Sequence, residues 1–281
     1  MSIIKQIFST CNPILKDHIH SYWTMNGDEE QDEINIIETV CNNYTTELMA
    51  PGGFPTMVFH LTKVCCYYDN MIKKRCYGII GGQLERHFNV SYKFKGDVIG
   101  INFLPYGLYN LLGIKPIEIR NKIIPIESIF DKNEVCSLIQ KIQLTDSIED
   151  IICFIESFLL KYKNTHVKYQ LYFDNFVDKI IEANGIVELG SLLNNTTLLR
   201  SFQRYFHEVI GTSPKQFCLL NKHIYVLKNI FKHPDKSISN IITDCEYYDF
   251  SHFNKEFKRF TNMGIKQYLE LNNELTRAMY T

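Results

Sequence analysis

The sequence lacks any long apolar run. No stretch approaches the roughly 20 consecutive apolar residues that a membrane-spanning helix needs, and polar residues interrupt the N-terminus within its first six positions. A secretory signal is therefore not expected. The nine cysteines contain no C-x-x-C pair, and without export they are expected to be reduced thiols. These features predict a cytoplasmic protein that makes no membrane contact.

The recognisable motifs of catalysis are also missing. The chain has no G-x-S-x-G, no H-E-x-x-H and no phosphate loop that ends in Gly-Lys-Ser/Thr. His18 and His20 could form a metal site with His60 or His87, but no carboxylate stands at a telling spacing. Core or surface histidines are the favoured interpretation. We expect no enzymatic activity, no metal and no cofactor.

Neither sign of charge is in excess, since the net charge of the 281 residues is −1. A chain of this length can form two domains, so the charge of each half is informative. Residues 168–281 contain 14 Lys and Arg against 12 Asp and Glu, a net charge of +2, and the preceding part carries −3. Binding to a nucleic-acid backbone through the C-terminal half would therefore be modest and sensitive to salt.

The C-terminal half does contain a helix-turn-helix pattern. Phe253, Phe257 and Phe260 recur at i, i+4 and i+7, which predicts the buried face of a short helix. Polar and basic residues such as Lys255 occupy the other positions. Residues 237–244 predict a second short, capped helix before it. Two short helices joined by a tight turn are typical of a helix-turn-helix unit.

The same pattern occurs a second time, upstream. Residues 186–193 predict a short apolar helix, and the following helix repeats the apolar face with Leu198, Phe202, Phe206 and Val209. Between the two units, residues 215–231 predict one long helix. Such a linker would fix two units on successive major-groove faces, roughly 34 Å apart.

At these residues the chain resembles the AraC/XylS family of transcription regulators. The resemblance covers about residues 170–270 and is carried by residues 211–217, 247–253, 256–260 and 267–269. Glu246 and Asn262 stand where the family usually has Gly, and Glu would strain a left-handed turn. The resemblance implies contacts with double-stranded DNA from Thr197, Arg200, Gln203, Arg204 and Lys215 in the first unit, and from Phe250, Ser251, His252, Asn254, Lys255 and Lys258 in the second.

The N-terminal half predicts short strands and turns, for example at residues 57–61, 77–83 and 97–103. At residues 22–23, 51–53, 81–83, 103–109 and 112–113 it resembles the regulatory domain of one branch of AraC-like proteins, which implies a cupin-like β-barrel. Candidate ligand-binding residues are Tyr22, Trp23, His60 and Gln83. The predicted fold class is α+β, a β-barrel followed by an all-α double helix-turn-helix domain, with boundaries at 1–145, 146–168 (helix and linker) and 169–281.

An amphipathic helix is predicted for residues 150–161, and its apolar face either mediates dimerisation or packs on the barrel. The predicted function is that of a sequence-specific DNA-binding transcription regulator, an activator, with a small-molecule effector, RNA polymerase and a second copy of the chain as further partners. The alternative is a ligand-binding or protein-interaction module with an impaired second helix-turn-helix, which Glu246 and the weak charge would favour.

Overall fold

The N-terminal part of the chain is built from β-strands. The computed structural model describes residues 4–10, 12–26, 45–61, 67–68, 76–92, 98–167, 170–192, 196–271 and 273–280. The strands are β1 (Ile4–Phe8), β2 (Ile19–Asn26), β3 (Thr45–Met49), β4 (Thr56–His60), β5 (Tyr67–Tyr68), β6 (Gly78–Gly81), β7 (Phe88–Tyr92), β8 (Val98–Phe103) and β9 (Ile123–Pro125).

These strands form two antiparallel sheets. The larger has the order β1-β2-β8-β4-β6-β9 and the smaller the order β3-β7-β5. Successive side chains of a strand point to opposite faces, and both faces of the larger sheet are buried. In β4, Met57 and Phe59 join one core, whereas Val58 joins a second core with Met49 and Val90 of the smaller sheet. The second core therefore lies between the two sheets.

Three helices complete the N-terminal domain: α1 (Gly107–Leu112), α2 (Lys132–Ile142) and α3 (Ile148–Lys161). The α3 helix starts where the Ser147 hydroxyl accepts a hydrogen bond from the backbone N–H of Asp150. Its apolar face, with Ile155 and Leu159, is buried in the same core as Phe59. Of the two interpretations for this helix, packing on the β-domain is the one that its contacts match, and dimerisation stays a prediction.

The C-terminal part is helical. Its elements are α4 (Leu171–Glu182), α5 (Leu189–Leu192), α6 (Thr196–Tyr205), a π-helical turn (Phe206–Ile210), α7 (Pro214–Lys232), α8 (Ile238–Asp244), α9 (Phe250–Thr261), α10 (Ile265–Glu270) and α11 (Glu274–Tyr280). No helix among the described residues combines the length and apolarity that crossing a bilayer requires.

The predicted α+β fold class is confirmed, with a β-rich N-terminal domain before an all-α one. The long linking helix and the second pair of short helices lie within one or two residues of their predicted positions. The first short helix, α5, begins at Leu189 rather than at residue 186, and residue 193 lies outside the described residues. Ile186 and Val187 are apolar, but their backbone is not helical.

Candidate nucleic-acid interface

The first helix-turn-helix unit exposes a polar face along α6. Phe202 and Phe206 are fully buried on its inner side, in a core that also includes Val177 of α4. Because a helix places residues three or four apart on one face, the predicted DNA-contacting residues share the opposite side. All of them are exposed: Thr197, Arg200, Gln203 and Arg204. Their outward placement is what base or phosphate contact requires.

The end of this unit is closed by its own sequence. Gly211 adopts φ 83° after the π-helical turn, a left-handed conformation that glycine takes without strain. The Ser213 hydroxyl then accepts a hydrogen bond from the backbone N–H of Gln216 at 3.2 Å, and Pro214 occupies the first position of α7. Lys215 follows in the first turn and is exposed, so it points into solvent beside the end of α6.

The second unit repeats this arrangement with α8 and α9. The Ser237 hydroxyl caps α8, and the Asp249 carboxylate accepts a hydrogen bond from the backbone N–H of His252 at 2.7 Å to start α9. Phe253 and Phe257 are fully buried, as the predicted period requires. The outer side of α9 exposes four of the predicted contacts: Ser251, His252, Lys255 and Lys258.

Two predicted contacts of the second unit have other partners. The Asn254 side-chain oxygen accepts a hydrogen bond from the backbone N–H of Ile265 at 3.0 Å, so this carboxamide holds the start of α10. Phe250 is only half-buried, packs on the core of the unit, and has the Lys266 ammonium 5.8 Å from its ring centre. The structure therefore gives Asn254 a positioning role that the sequence did not reveal.

Glu246, the residue that put the second turn in doubt, keeps the turn geometry of a glycine. Its φ is 58°, in the left-handed region. The Lys222 ammonium of α7 donates a hydrogen bond to the Glu246 carbonyl at 3.0 Å and lies 4.2 Å from the centre of the Tyr247 ring. Asn262 also adopts the left-handed conformation, with φ 59°. The linking helix thus supports a turn that the residue itself disfavours.

The two units are related by an offset of 51 residues. Two grooves, of about 330 and 310 Å³, lie beside the recognition helices α6 and α9, each between a recognition helix and the start of the next helix. Their linings correspond position by position, as Gln203 with Asn254, His207 with Lys258, Ser213 with Gly264 and Lys215 with Lys266. His207 and Lys266 were not among the predicted contacts, and the 51-residue offset is the sequence signal that identifies them.

Several exposed cations on this surface form no ion pair among the described residues. Within the part of the chain that the structure describes, no ion pair involves the following exposed residues: Arg200, Arg204, Lys215, Lys255 and Lys258. Unpaired surface cations on consecutive helical turns are suited to the phosphates of a duplex, each of which carries one negative charge.

The N-terminal domain contacts the first unit through two carboxylates of α4. Asp174 of α4 accepts hydrogen bonds from the Tyr205 hydroxyl of α6 and from the Asn110 amide of α1, the latter at 3.2 Å. Beside it, the Tyr106 hydroxyl donates to Asp178 at 3.0 Å. Asp174 is only 4% exposed, and burial raises the pKa of its carboxyl to about 6. The Asp174 carboxylate therefore links α1 of the N-terminal domain to the recognition helix α6.

A second contact joins the domains at the closing turn of the first unit. The Glu85 carboxylate accepts a hydrogen bond from the Thr212 hydroxyl and is ion-paired with Arg120, whose nearest nitrogen is 2.5 Å away. Farther along, the hydroxyl of Tyr280 donates to the carbonyl of Pro51 at 2.6 Å. The C-terminal domain thus contacts the β-domain beside both helix-turn-helix units.

The predicted ligand-binding residues do not share one cavity. Tyr22 and Trp23 are neighbours in β2 and point to opposite faces of the larger sheet: Tyr22 packs in the core with α3, and Trp23 packs between the sheets. The two side chains therefore do not line one pocket together, and ligand binding by either of them stays a prediction. His60 is buried, burial lowers the pKa of its imidazole, and its Nδ1 lies 3.3 Å from the Cys76 carbonyl.

Gln83 differs from the other three. Its side chain is fully buried, and neither its amide nitrogen nor its carbonyl oxygen has a hydrogen-bond partner within the described residues. Buried side-chain amides are almost always hydrogen-bonded, because an unsatisfied group costs about 1–3 kcal/mol. Gln83 is therefore the predicted ligand-binding residue with unused hydrogen-bonding capacity.

Two rigidly linked helix-turn-helix units with outward cations define a DNA-binding protein of the double helix-turn-helix class. Residues 198–270 match a family model described as a helix-turn-helix domain, and residues 10–125 match a domain of unknown function (DUF6597). The C-terminal match agrees with the resemblance of residues 170–270 to the AraC type of DNA-binding helix-turn-helix domain. No curated protein sequence matches the chain significantly.

Similar solved structures include several of ToxT from Vibrio cholerae. One is 11% identical, covers 96% of this chain and 99% of that chain, and has a TM-score of 0.46. Another, of ToxT bound to (E)-4-(8-methylnaphthalen-1-yl)but-3-enoic acid, is 13% identical with the same coverage and a TM-score of 0.44. A third, of ToxT bound to an unsaturated fatty acid, is 12% identical, covers 81% and 91%, and also scores 0.44.

Proposed function

We propose that the protein binds a specific DNA sequence through both helix-turn-helix units and regulates transcription there. The observation that carries this proposal is the pair of recognition helices, α6 and α9, whose apolar sides are buried and whose outer sides expose unpaired cations. The linking helix α7 joins both units over 19 residues, which keeps their separation fixed. Activation, RNA polymerase contact and dimerisation stay predictions.

The test is selection of bound sequences from random duplex DNA with the full chain at low salt. An enriched motif with two separated blocks supports the proposal, because each unit would read one major-groove segment. Recovery of no enriched motif contradicts it. In that case the alternative, a protein-interaction module without DNA contact, explains the exposed helix faces.

The residue that reads bases in the first unit is expected to be Arg204. Arginine can bond a guanine through two hydrogen bonds, each such pair contributing about 1–3 kcal/mol of discrimination. The Arg204→Ala variant should lose preference at one position of one block, which the same selection experiment measures. Lys232→Ala is the matched control, since Lys232 is an exposed cation of α7 outside both recognition helices. An unchanged preference would show that Arg204 is not a base reader.

We also propose that the N-terminal domain binds a small molecule, with Gln83 as a polar contact. A ligand that hydrogen-bonds the Gln83 amide would remove the cost of burying it unsatisfied. Mass spectrometry of small molecules released from the denatured protein tests this. The expected result is a compound that co-purifies with the parent and the Gln6→Leu control but not with Gln83→Leu. Equal recovery from all three proteins would contradict a role for Gln83.

A further inference from the structure

The two grooves beside the recognition helices differ in where their cations come from. In the second unit, Lys258 and Lys266 line the groove, and both belong to the helix-turn-helix domain itself. In the first unit, Lys215 stands at the position equivalent to Lys266, but His207 replaces the cation of Lys258. The first unit is thus one permanent positive charge short of the second.

A residue of the N-terminal domain places a guanidinium at this groove instead. Arg120 follows a 3₁₀ turn (Pro116–Glu118) and lines the groove of the first unit together with Gln203, His207 and Lys215. Its neighbours are held against the same unit: Pro116 lies so close to Gly211 that a Cβ there would meet it at 2.9 Å. The guanidinium is therefore brought to the recognition helix by a packed contact between the two domains.

The Arg120 side chain is fixed but still has donors to spare. Its Nε and one terminal nitrogen donate to the same Glu85 oxygen, at 3.2 and 2.5 Å. The other Glu85 oxygen is occupied by the Thr212 hydroxyl of the closing turn. Arginine has five N–H donors in a planar fork that suits phosphate. The side chain remains 38% exposed, so it is accessible from the groove.

We propose that Arg120 contacts a phosphate of the DNA bound by the first helix-turn-helix unit, in the place that Lys258 occupies in the second. This inference rests on the proposed DNA binding. It makes the N-terminal domain part of the nucleic-acid interface rather than only an attached regulatory module. It also means that any shift of the Arg120 loop away from the first unit removes one phosphate contact.

The test is the salt dependence of binding to the selected duplex. Each phosphate contact contributes about 0.9 to the slope of log affinity against log salt, roughly eightfold in affinity for each tenfold change in salt. Arg120→Ala should lower the slope by about 0.9 and leave the preferred sequence unchanged. Arg120→Lys should keep most of the slope. The control is Lys132→Ala, which removes one exposed cation from α2 in the same domain and should leave the slope unchanged.

A rescue variant separates electrostatics from structure, because Arg120 also supports Glu85 and Thr212. Arg120→Ala combined with His207→Lys places the missing cation on the recognition helix itself, as in the second unit. His207→Lys should restore the slope in the Arg120→Ala background and add nothing in the parent, where Arg120 already contacts that phosphate; an equal gain in both backgrounds contradicts the inference. If the parent binds DNA and Arg120→Ala leaves its slope unchanged, Arg120 touches no phosphate. If the parent binds no duplex at all, the proposed function fails instead.

Discussion

The sharpest quantitative consequence of the structure concerns Asp174. Its carboxylate is 4% exposed and has no cationic partner among the described residues. Burial raises the pKa of Asp174 from 3.8 to about 6, against the lowering effect of the hydrogen bonds from Tyr205 and Asn110, and the nearby Asp178 raises it further. This rise in the pKa means that folding favours the protonated carboxyl over the carboxylate by about 3 kcal/mol.

The direction of the effect on stability follows from linkage. Because the pKa of Asp174 is higher in the folded than in the unfolded chain, the native state binds the proton more tightly. The stability that this contributes is fully present below pH 3.8 and is lost as the pH rises through about 6. Asn at this position carries no charge at any pH. The Asp174→Asn variant should therefore gain stability relative to the parent as the pH rises from 4 to 7.5.

The measurement is urea denaturation of both proteins at several pH values, with the difference in unfolding free energy plotted against pH. We expect this difference to change by about 2.5 kcal/mol in favour of the variant between pH 4 and 7.5. Asp235→Asn is the control, since Asp235 is an exposed aspartate of the same domain and its difference should stay flat. If the difference in unfolding free energy for Asp174→Asn did not change with pH, burial would not raise the pKa of Asp174.

Two further predictions concern the second unit. Glu246→Gly should raise the melting temperature. A non-glycine residue in the left-handed conformation costs about 1–2 kcal/mol, whereas the greater freedom of glycine in the unfolded chain offsets only roughly 0.4–1 kcal/mol of that gain. A lower melting temperature would mean that the Glu246 side chain stabilises the turn. His223 is completely buried between Phe257 and Phe260, and burial lowers the pKa of its imidazole to about 3. The stability contributed by the neutral imidazole is present above pH 6.5 and falls by about 1.4 kcal/mol for each pH unit below it. His223→Phe removes this titration, so acid unfolding followed by circular dichroism should occur at lower pH. An unchanged midpoint of acid unfolding would contradict this.

The helices of the C-terminal domain were predictable because their signals are local. The period of Phe253, Phe257 and Phe260 and the caps at Ser213 and Ser237 lie within one helix each, so they survive without knowledge of the fold. The family resemblance then supplied the pairing of the two units. Exposure of the predicted cations followed from the same period, because whatever is not on the apolar side must face outward.

The long-range contacts could not be predicted in this way. Asn254 has the residue type of an adenine reader, and only the position of Ile265 shows that its carboxamide holds α10. Tyr22 and Trp23 are adjacent in a strand, so alternation places them on opposite faces, but only the fold shows that each face has its own core. Arg120 lies 83 residues before Gln203, and no local pattern connects a loop of the β-domain with a recognition helix.

The contacts between the domains determine how a ligand in the β-domain could influence DNA binding. The α1 helix supplies Asn110 to Asp174, and Asp174 also binds Tyr205 of the recognition helix, so a displacement of α1 would leave a buried carboxylate with one hydrogen bond fewer. The loss of such a charge-assisted bond costs about 1.5–3 kcal/mol. This effect acts on the first unit. The β-domain also contacts the second unit, through the Pro51 carbonyl and through His87, whose backbone N–H donates to the Phe260 carbonyl of α9 at 2.7 Å. A displacement confined to α1 should therefore alter recognition by the first unit more than by the second.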